Sequence, residues 1–170
     1  WAADQAAVPG SRPLPATLIG DNGTVGHVIH LPGHTSDSVG VLVEGGRMLT
    51  GDTLLGGSST VIVPEHGGSL TEYLQSLAIL HALAEDGRIS ALFPGHGPSV
   101  DSPLEVLAAL EETIAHREER IDQARRARTA GVLTLDRLLR VVYGPDLPEQ
   151  LQDAARWNLR ATLDHLAQER

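Results

Sequence analysis

The sequence predicts an α/β fold, with strands in residues 1–100 and helices in residues 101–170. Two observations lead to this prediction. In the first region, short apolar runs alternate with glycine-containing turns, which is the pattern of strands joined by tight connections. In the second region, apolar residues recur at helical spacing between capping signals such as Ser102-Pro103. We therefore expect two regions that meet near residue 100.

The strand predictions rest on apolar or β-branched segments flanked by turn residues. Six segments fit this description: 16–20, 24–31, 39–44, 47–50, 60–63 and 89–93. Asp21-Asn22-Gly23 and Gly45-Gly46 are hairpin turn signals between pairs of these segments. Residues 1–15 are rich in Ala, Pro and Gly without a period, which favours a linker or coil.

The helix predictions rest on start and stop signals. Ser69-Leu70-Thr71-Glu72 is a capping box that opens a helix ending near Asp86, before Gly87. Two more helices are predicted over residues 102–128 and 134–143, and a last helix or helix pair over residues 148–168. The segment from Glu111 to Arg128 is dense in Glu and Arg, so we interpret it as a solvated helix face rather than an RNA contact.

Composition excludes several classes of site. The chain has no cysteine, so any metal must bind through His, Asp or Glu. The net charge is −9, which gives no support to nucleic-acid binding through bulk charge. Apolar runs fall short of a membrane span and no signal peptide is recognised, so we expect a cytoplasmic protein. Because the only Met is Met48 and the chain opens at Trp1, we expect it to be a fragment.

One pattern occurs three times: an apolar strand ends, a glycine follows, and a side chain able to bind metal comes next. The three occurrences are Leu31-Pro32-Gly33-His34-Thr35, Leu49-Thr50-Gly51-Asp52-Thr53 and Phe93-Pro94-Gly95-His96-Gly97. Glycine lets the backbone turn sharply, so each side chain can point into a shared space at the sheet edge. Two imidazoles and a carboxylate that can span two cations are suitable ligands for zinc.

These three loops resemble the second half of the metallo-β-lactamase superfamily. The stretch Gly51-Asp52-Thr53-Leu54-Leu55-Gly56 and the helix after it are similar to the β-lactamase-like hydrolase branch of that superfamily. The resemblance implies an α+β sandwich of the metallo-β-lactamase type, of which residues 1–100 are the C-terminal half. It also implies that residues 101–170 form a small, all-α, winged-helix-like tail.

The family's motif His-x-His-x-Asp-His is absent from this sequence. In the family, this motif lies in the first half and supplies ligands to both metals. The resemblance implies that His34 completes the first metal, His96 completes the second, and Asp52 bridges them and orients the attacking water. Zinc, as two ions in the complete protein, is the implied cofactor, with other divalent metals open. Since three groups alone do not make a hydrolytic zinc site, we expect the isolated chain to be inactive.

Three functions remain open. A metal-dependent hydrolase, acting on an ester, thioester or phosphodiester, is favoured because all three candidate ligands are present. An RNA-binding module or part of a ribonuclease is the second, based on the winged-helix-like tail, and the acidic balance disfavours it. A non-catalytic interaction fragment is the third. Among partners, a small-molecule ester or thioester is favoured over RNA, and no membrane is expected.

The missing first half has a consequence for the sheet. A lone half leaves one sheet face without its partner, and we expect Val28, Leu42 and Val61 to form that apolar face. The chain is therefore expected to bind the missing half, to associate with a second copy, or to be marginally stable.

Other polar residues are weaker candidates. His66 and Ser59 lie in loops and are possible contacts on the substrate side, although a flexible loop histidine and a turn serine are the simpler interpretations. His27 and His30 point to opposite faces of a strand, so at most one could reach the site. Five further residues are interpreted as turn, packing or surface residues without a role at the site: Ser58, Thr60, His81, His165 and Trp157. The triplet Ala-His-Arg that contains His116 also resembles the hydrolase branch, but no mechanistic role is assigned to His116.

Overall fold

The computed structural model describes residues 15–21 and 23–169, and within them a single five-stranded sheet. Its strands follow the order of the sequence: β1 (Thr17–Gly20), β2 (Gly23–His30), β3 (Val39–Val43), β4 (Arg47–Gly51) and β5 (Ala91–Pro94). Neighbours from β1 to β4 are antiparallel, whereas β4 and β5 are parallel. The predicted linker residues 1–14 and the predicted turn residue Asn22 lie outside the described residues.

The part of the chain that the structure describes also has four α-helices: α1 (Leu70–Glu85), α2 (Pro103–Thr129), α3 (Leu135–Tyr143) and α4 (Gln152–Gln168). Ser69 caps α1, because its side chain accepts a hydrogen bond from the backbone N–H of Glu72. Short 3-10 helices span Pro64–His66 and Glu149–Leu151. The predicted α/β class is confirmed, and so is the helical character of the second region. Among the described residues, no helix is long and apolar enough to cross a bilayer.

The helices cover one side of the sheet. Met48 and Leu92 are neighbours across the parallel β4–β5 pair, and both are fully buried. They join the apolar face of α1, where Leu77 and Leu80 are also fully buried. Burying aliphatic side chains of this size is worth about 1.5–3 kcal/mol each. This core therefore fixes how the helices sit on the sheet.

The opposite side of the sheet carries apolar side chains, and no helix of residues 15–21 and 23–169 lies over them. Val28 pairs with Val41, Val41 with Leu49, and Leu49 with Phe93, so these four residues, here called the bare face, form a row across four strands. Leu49 is 45% exposed and Phe93 is 37% exposed. The prediction that Leu42 belongs to this face was wrong, because Leu42 pairs with Met48 and is buried on the helix side.

Residues 60–63 do not form the predicted strand, and Val61 therefore does not contribute to the bare face. Their backbone groups are satisfied by other partners. The Ile62 N–H donates to the Asn158 side chain, and the Val63 N–H donates to the His34 carbonyl. Backbone groups that are used in this way are not available to a β ladder.

The predicted solvated face of α2 was wrong at Arg117, which is 5% exposed. Its guanidinium lies 5.0 Å from the centre of the Tyr73 ring and donates to the Thr60 carbonyl. Arg120, one turn further on, lies over the Tyr143 ring at 4.9 Å and donates to the Val142 carbonyl. Long arginine side chains can cover apolar surface, so a charge-rich sequence does not by itself show exposure.

Candidate metal centre

Three strands bring the candidate ligands to the same edge of the sheet. Strands β2 and β4 both run antiparallel to β3, and β5 runs parallel to β4. The carboxyl ends of β2, β4 and β5 therefore lie on one edge. His34, Asp52 and His96 follow these three ends in the sequence. The repeated strand–glycine pattern thus places all three side chains in one region.

Asp52 lies between the two histidines. The Nε2 atom of His34 is 3.7 Å from Asp52 Oδ2, and the Nε2 atom of His96 is 3.7 Å from Asp52 Oδ1. The His34 and Asp52 side chains are 17% and 19% exposed, whereas that of His96 is 78% exposed. The cluster of His34, Asp52 and His96 is therefore open to solvent on the His96 side.

A backbone carbonyl group orients the His34 ring from the side opposite Asp52. Its Nδ1 lies 2.5 Å from the carbonyl oxygen of Val61. Because a carbonyl oxygen only accepts, this hydrogen bond places the ring proton on Nδ1. In the neutral form of the ring, the lone pair of Nε2 then lies on the side that faces Asp52. A histidine that binds metal commonly has its second ring nitrogen held in this way.

The loop that carries His34 depends on Gly33. Its φ of +136° suits glycine, and a Cβ at this position would lie 2.3 Å from the Tyr73 Cα on helix α1. The loop can therefore pack directly against the helix. On the next loop, the buried Thr60 hydroxyl donates to the Asp52 carbonyl at 2.9 Å. Both loops are thus held by neighbouring elements.

The arrangement leaves one buried acceptor without a partner. Asp52 Oδ1 makes no hydrogen bond among the described residues. A buried carboxylate oxygen left unsatisfied is costly, so it suits a cation. Across residues 15–21 and 23–169, no three His, Asp or Glu side chains form a group that could hold one ion. The geometry instead gives each side of the Asp52 carboxylate one imidazole.

The other candidates lie outside this cluster. His66 ends the 3-10 helix Pro64–His66, and its side chain is exposed. Its backbone carbonyl accepts a hydrogen bond from the Ser36 N–H. His27 is exposed, and His30 contacts the carbonyl of Ser36 at 3.2 Å. Among the described residues, no hydrogen bond or ion pair joins the side chains of His34, Asp52 and His96 to these histidines.

Ser59 lines a cavity of about 320 Å³ between the loop after Asp52 and helix α2. The helix contributes Ala109, Glu112, Thr113 and His116 to its wall. Burial lowers the pKa of His116, and the neighbouring cations Arg120 and Arg117 lower it further. These shifts favour a neutral imidazole in the cavity wall. Much of the remaining lining is aliphatic or proline, including Leu54, Leu92 and Val100.

Two supporting residues were not predicted from the sequence. Thr60 was interpreted as a turn or strand residue, yet its hydroxyl holds the Asp52 backbone. Val61 acts through its carbonyl, a group that every residue has and that no sequence pattern marks. The order of the loops along the chain gave no indication that residues 60 and 61 return to the cluster.

Comparison with known proteins gives three similarities in sequence. Residues 134–170 match the family model described as a beta-lactamase associated winged helix domain. The chain is 32% identical over 145 residues to the beta-lactamase-like protein 2 homolog of Drosophila melanogaster, covering 84% of this chain and 45% of that protein. It is also 32% identical over 146 residues to the atrochrysone carboxyl ACP thioesterase of Aspergillus fumigatus, covering 78% of this chain and 32% of that protein.

Among solved structures, a beta-lactamase domain protein from Burkholderia ambifaria superposes with a TM-score of 0.74. The sequence identity is 22%, and the match covers 96% of this chain and 48% of that chain. This likeness concerns the fold. The chain spans less than half the length of each of these three proteins.

Proposed function

Because the chain belongs to the metallo-β-lactamase-fold superfamily and ends in a winged-helix region, we propose that it is the second half of a metal-dependent hydrolase. The observation that carries this proposal is the position of Asp52 between two imidazoles, with one buried carboxylate oxygen unpartnered. We assign His34 to one metal, His96 to the other, and Asp52 to both as the bridging ligand.

The residues fit two divalent cations. Each side of the carboxylate faces one Nε2 atom, and imidazole and carboxylate together form a normal ligand set for zinc. Neither cation would have enough ligands from this chain alone, so the proposal includes further ligands from a first half. We take zinc as the proposed metal, with other divalent ions as alternatives.

The chemistry that two bound cations supply is a water of lowered pKa and stabilisation of the oxyanion formed in the reaction. This chain's own residues hold and orient the components of the site. Val61 keeps the Nε2 lone pair of His34 directed at the centre, and Thr60 anchors the backbone that presents Asp52. The exposed His96 lies on the side from which a substrate can approach.

We propose a small ester or thioester as the substrate. One relative is named as a thioesterase, and the cavity lined by the loop that follows Asp52 has a largely apolar lining. Its volume of about 320 Å³ lies at the lower end of the range for small-molecule pockets, about 300–1,000 Å³. We therefore place the apolar group of the substrate there, with Ser59 at the wall.

RNA is a less favoured substrate, because the arginines of α2 are engaged within the chain. Arg117 and Arg120 both use their guanidinium groups on backbone carbonyls and aromatic rings. Arg125 forms ion pairs with Asp122 and Glu169. The net charge of −9 also disfavours the binding of a polyanion such as RNA.

A hydrolysis assay tests the proposal. The chain would be compared with a longer protein in which a first half from a relative, carrying His-x-His-x-Asp-His, precedes it. Thiol release from an acyl N-acetylcysteamine thioester can be followed with a thiol reagent, because this chain has no cysteine to react. We expect no turnover by the chain alone and chelator-sensitive turnover by the longer protein.

The matched variants are Asp52→Asn and Asp146→Asn in the longer protein. Both remove one negative charge, but Asp146 lies in an exposed turn after α3. Only Asp52→Asn should abolish turnover. Turnover that survives both Asp52→Asn and chelation would refute the proposal.

A further inference from the structure

Residues 60–62 connect the metal centre to the C-terminal helices. On one side, Val61 accepts from His34 Nδ1, and the Thr60 hydroxyl donates to the Asp52 carbonyl. This segment therefore contacts two of the three proposed ligands. It has no β ladder to hold it in place. Its position depends on the groups that bind it from the other side.

Arg117 of α2 is the first of these groups. It is buried, and its guanidinium donates to the Thr60 carbonyl while it stacks on the Tyr73 ring. Burying a cation is costly unless it is hydrogen-bonded, and the Arg117 Nε has no hydrogen-bond partner among the described residues. The contacts with the Thr60 carbonyl and the Tyr73 ring therefore restrict the position of the planar guanidinium. Tyr73 is also the residue against which Gly33 packs. Arg117 therefore joins the 60–62 segment to the side of α1 that supports the His34 loop.

Asn158 of α4 is the second group. It is 8% exposed and binds the segment with both ends of its amide. Its Oδ1 accepts from the Ile62 N–H at 2.8 Å, and its Nδ2 donates to the Thr60 carbonyl at 3.4 Å. Because one end accepts and the other donates, the two bonds fix the orientation of the amide.

We propose that Arg117 and Asn158 are positioning residues for the metal centre. They hold residues 60–62, and that segment in turn sets the tautomer and direction of the His34 ring and the backbone position of Asp52. The winged-helix region therefore supports the site through Asn158 rather than only covering the core. This inference rests on the proposed function for its consequence at the metal, but not for its effect on the His34 ring.

The test uses two matched pairs of variants of the 170-residue chain. Asn158→Leu removes both hydrogen bonds of the side-chain amide. Thr162→Val on the same helix removes one buried hydrogen bond, which the Thr162 hydroxyl donates to the backbone carbonyl of Asn158. Arg117→Met removes a stacked arginine that binds the segment. Arg120→Met removes a stacked arginine that binds the Val142 carbonyl instead. Each control thus resembles its partner except in contact with residues 60–62.

The first readout is the tautomer of His34, from the nitrogen chemical shifts of its ring in the metal-free chain. We expect the Nδ1–H form in wild type and in both controls, and a mixture of tautomers in Asn158→Leu and Arg117→Met. The second readout is zinc affinity. Loss of a group that orients a ligand typically lowers metal affinity about 10–100-fold, and we expect a loss in that range only in the two test variants.

Conservative variants separate positioning from folding. Asn158→Asp keeps the acceptor for the Ile62 N–H but loses the donor to Thr60, and Arg117→Lys keeps a single donor. For both variants, the fraction of the Nδ1–H tautomer and the zinc affinity should lie between those of wild type and those of the larger substitutions. If the larger substitutions unfold the chain, these two variants test the proposal in their place. The proposal is overturned if His34 keeps the Nδ1–H form in all variants, or if test and control variants shift together. Turnover that survives Asp52→Asn in the longer protein would instead refute the proposed function, while the tautomer still decides this inference.

Discussion

Gly95 leaves the space that the Asp52 carboxylate occupies. A Cβ at Gly95 would lie 2.7 Å from Asp52 Oδ1, the oxygen that faces His96. Gly95 has no positive φ, so an alanine there is not strained by its own backbone conformation. The glycine before His96 is therefore required chiefly by the neighbouring Asp52 side chain.

We expect Gly95→Ala to displace the carboxylate and to lower zinc affinity about tenfold or more, by analogy with other changes that disorient a ligand. The control is Gly87→Ala, at φ +68° with no atom within 4 Å of the added Cβ. That variant should lose about 1–2 kcal/mol of unfolding free energy through its left-handed backbone and keep its zinc affinity. Zinc titration and urea unfolding of both variants check this, and equal effects on zinc would contradict it.

The bare face of the sheet should make the chain associate, with a first half or with a second copy. Leu49→Thr keeps a residue suited to a strand and removes an apolar side chain from that face. We expect it to weaken self-association about tenfold, since burial of a leucine is worth at least about 1.5 kcal/mol. Light scattering over a dilution series measures the change.

The control for this face is Leu133→Thr, because Leu133 is 77% exposed and lies between α2 and α3, away from the sheet. It should leave association unchanged. A wild-type chain that stays a compact, stable monomer throughout the dilution series would contradict the account of the bare face.

The cavity between the 54–59 loop and α2 should hold the apolar part of the substrate. Ala109 lines it, whereas the adjacent Ala108 is exposed and does not. In the longer protein with a first half, Ala109→Phe should fill the cavity and raise KM for long acyl thioesters about tenfold, the effect of losing about 1.4 kcal/mol of binding. Ala108→Phe should not. Identical kinetics for the two variants would place the acyl group elsewhere.

His116 should make stability depend on pH. Its pKa in the folded chain is lowered by burial and by Arg120 and Arg117, so below pH 6.5 the unfolded chain binds a proton that the folded chain resists. Its contribution to stability therefore falls as pH drops through 6.5 and is constant above that value. Urea unfolding between pH 5 and 8 should show a smaller acid loss in His116→Gln than in wild type. A larger loss in the variant would reverse the sign and refute this explanation.

The sequence was sufficient to predict the three candidate ligand loops, because each is a local pattern at the end of a strand. The repeated pattern led us to expect the three side chains at one sheet edge. The directions of β2, β4 and β5 agree with that expectation. Helices were located accurately, since caps such as Ser69 and stops such as Gly87 are also local signals.

Long-range contacts account for the errors. Residues 60–63 are all β-branched and have high strand propensity. In the structure, however, side chains of α2 and α4 form hydrogen bonds with their backbone groups. Leu42 was assigned to the wrong face because a strand's alternation does not say which side the helices cover. Arg117 lies in a charge-rich helix, and only the position of Tyr73 on another helix explains its burial.

The most direct test of the central claim is the zinc content of the chain, measured by elemental analysis after purification without chelator and dialysis against zinc. If His34, Asp52 and His96 are one chain's share of a two-metal site, zinc should be weakly held and below one ion per chain. It should also be lost in Asp52→Asn. Two tightly held zinc ions per chain, or a zinc content that Asp52→Asn leaves unchanged, would contradict the account.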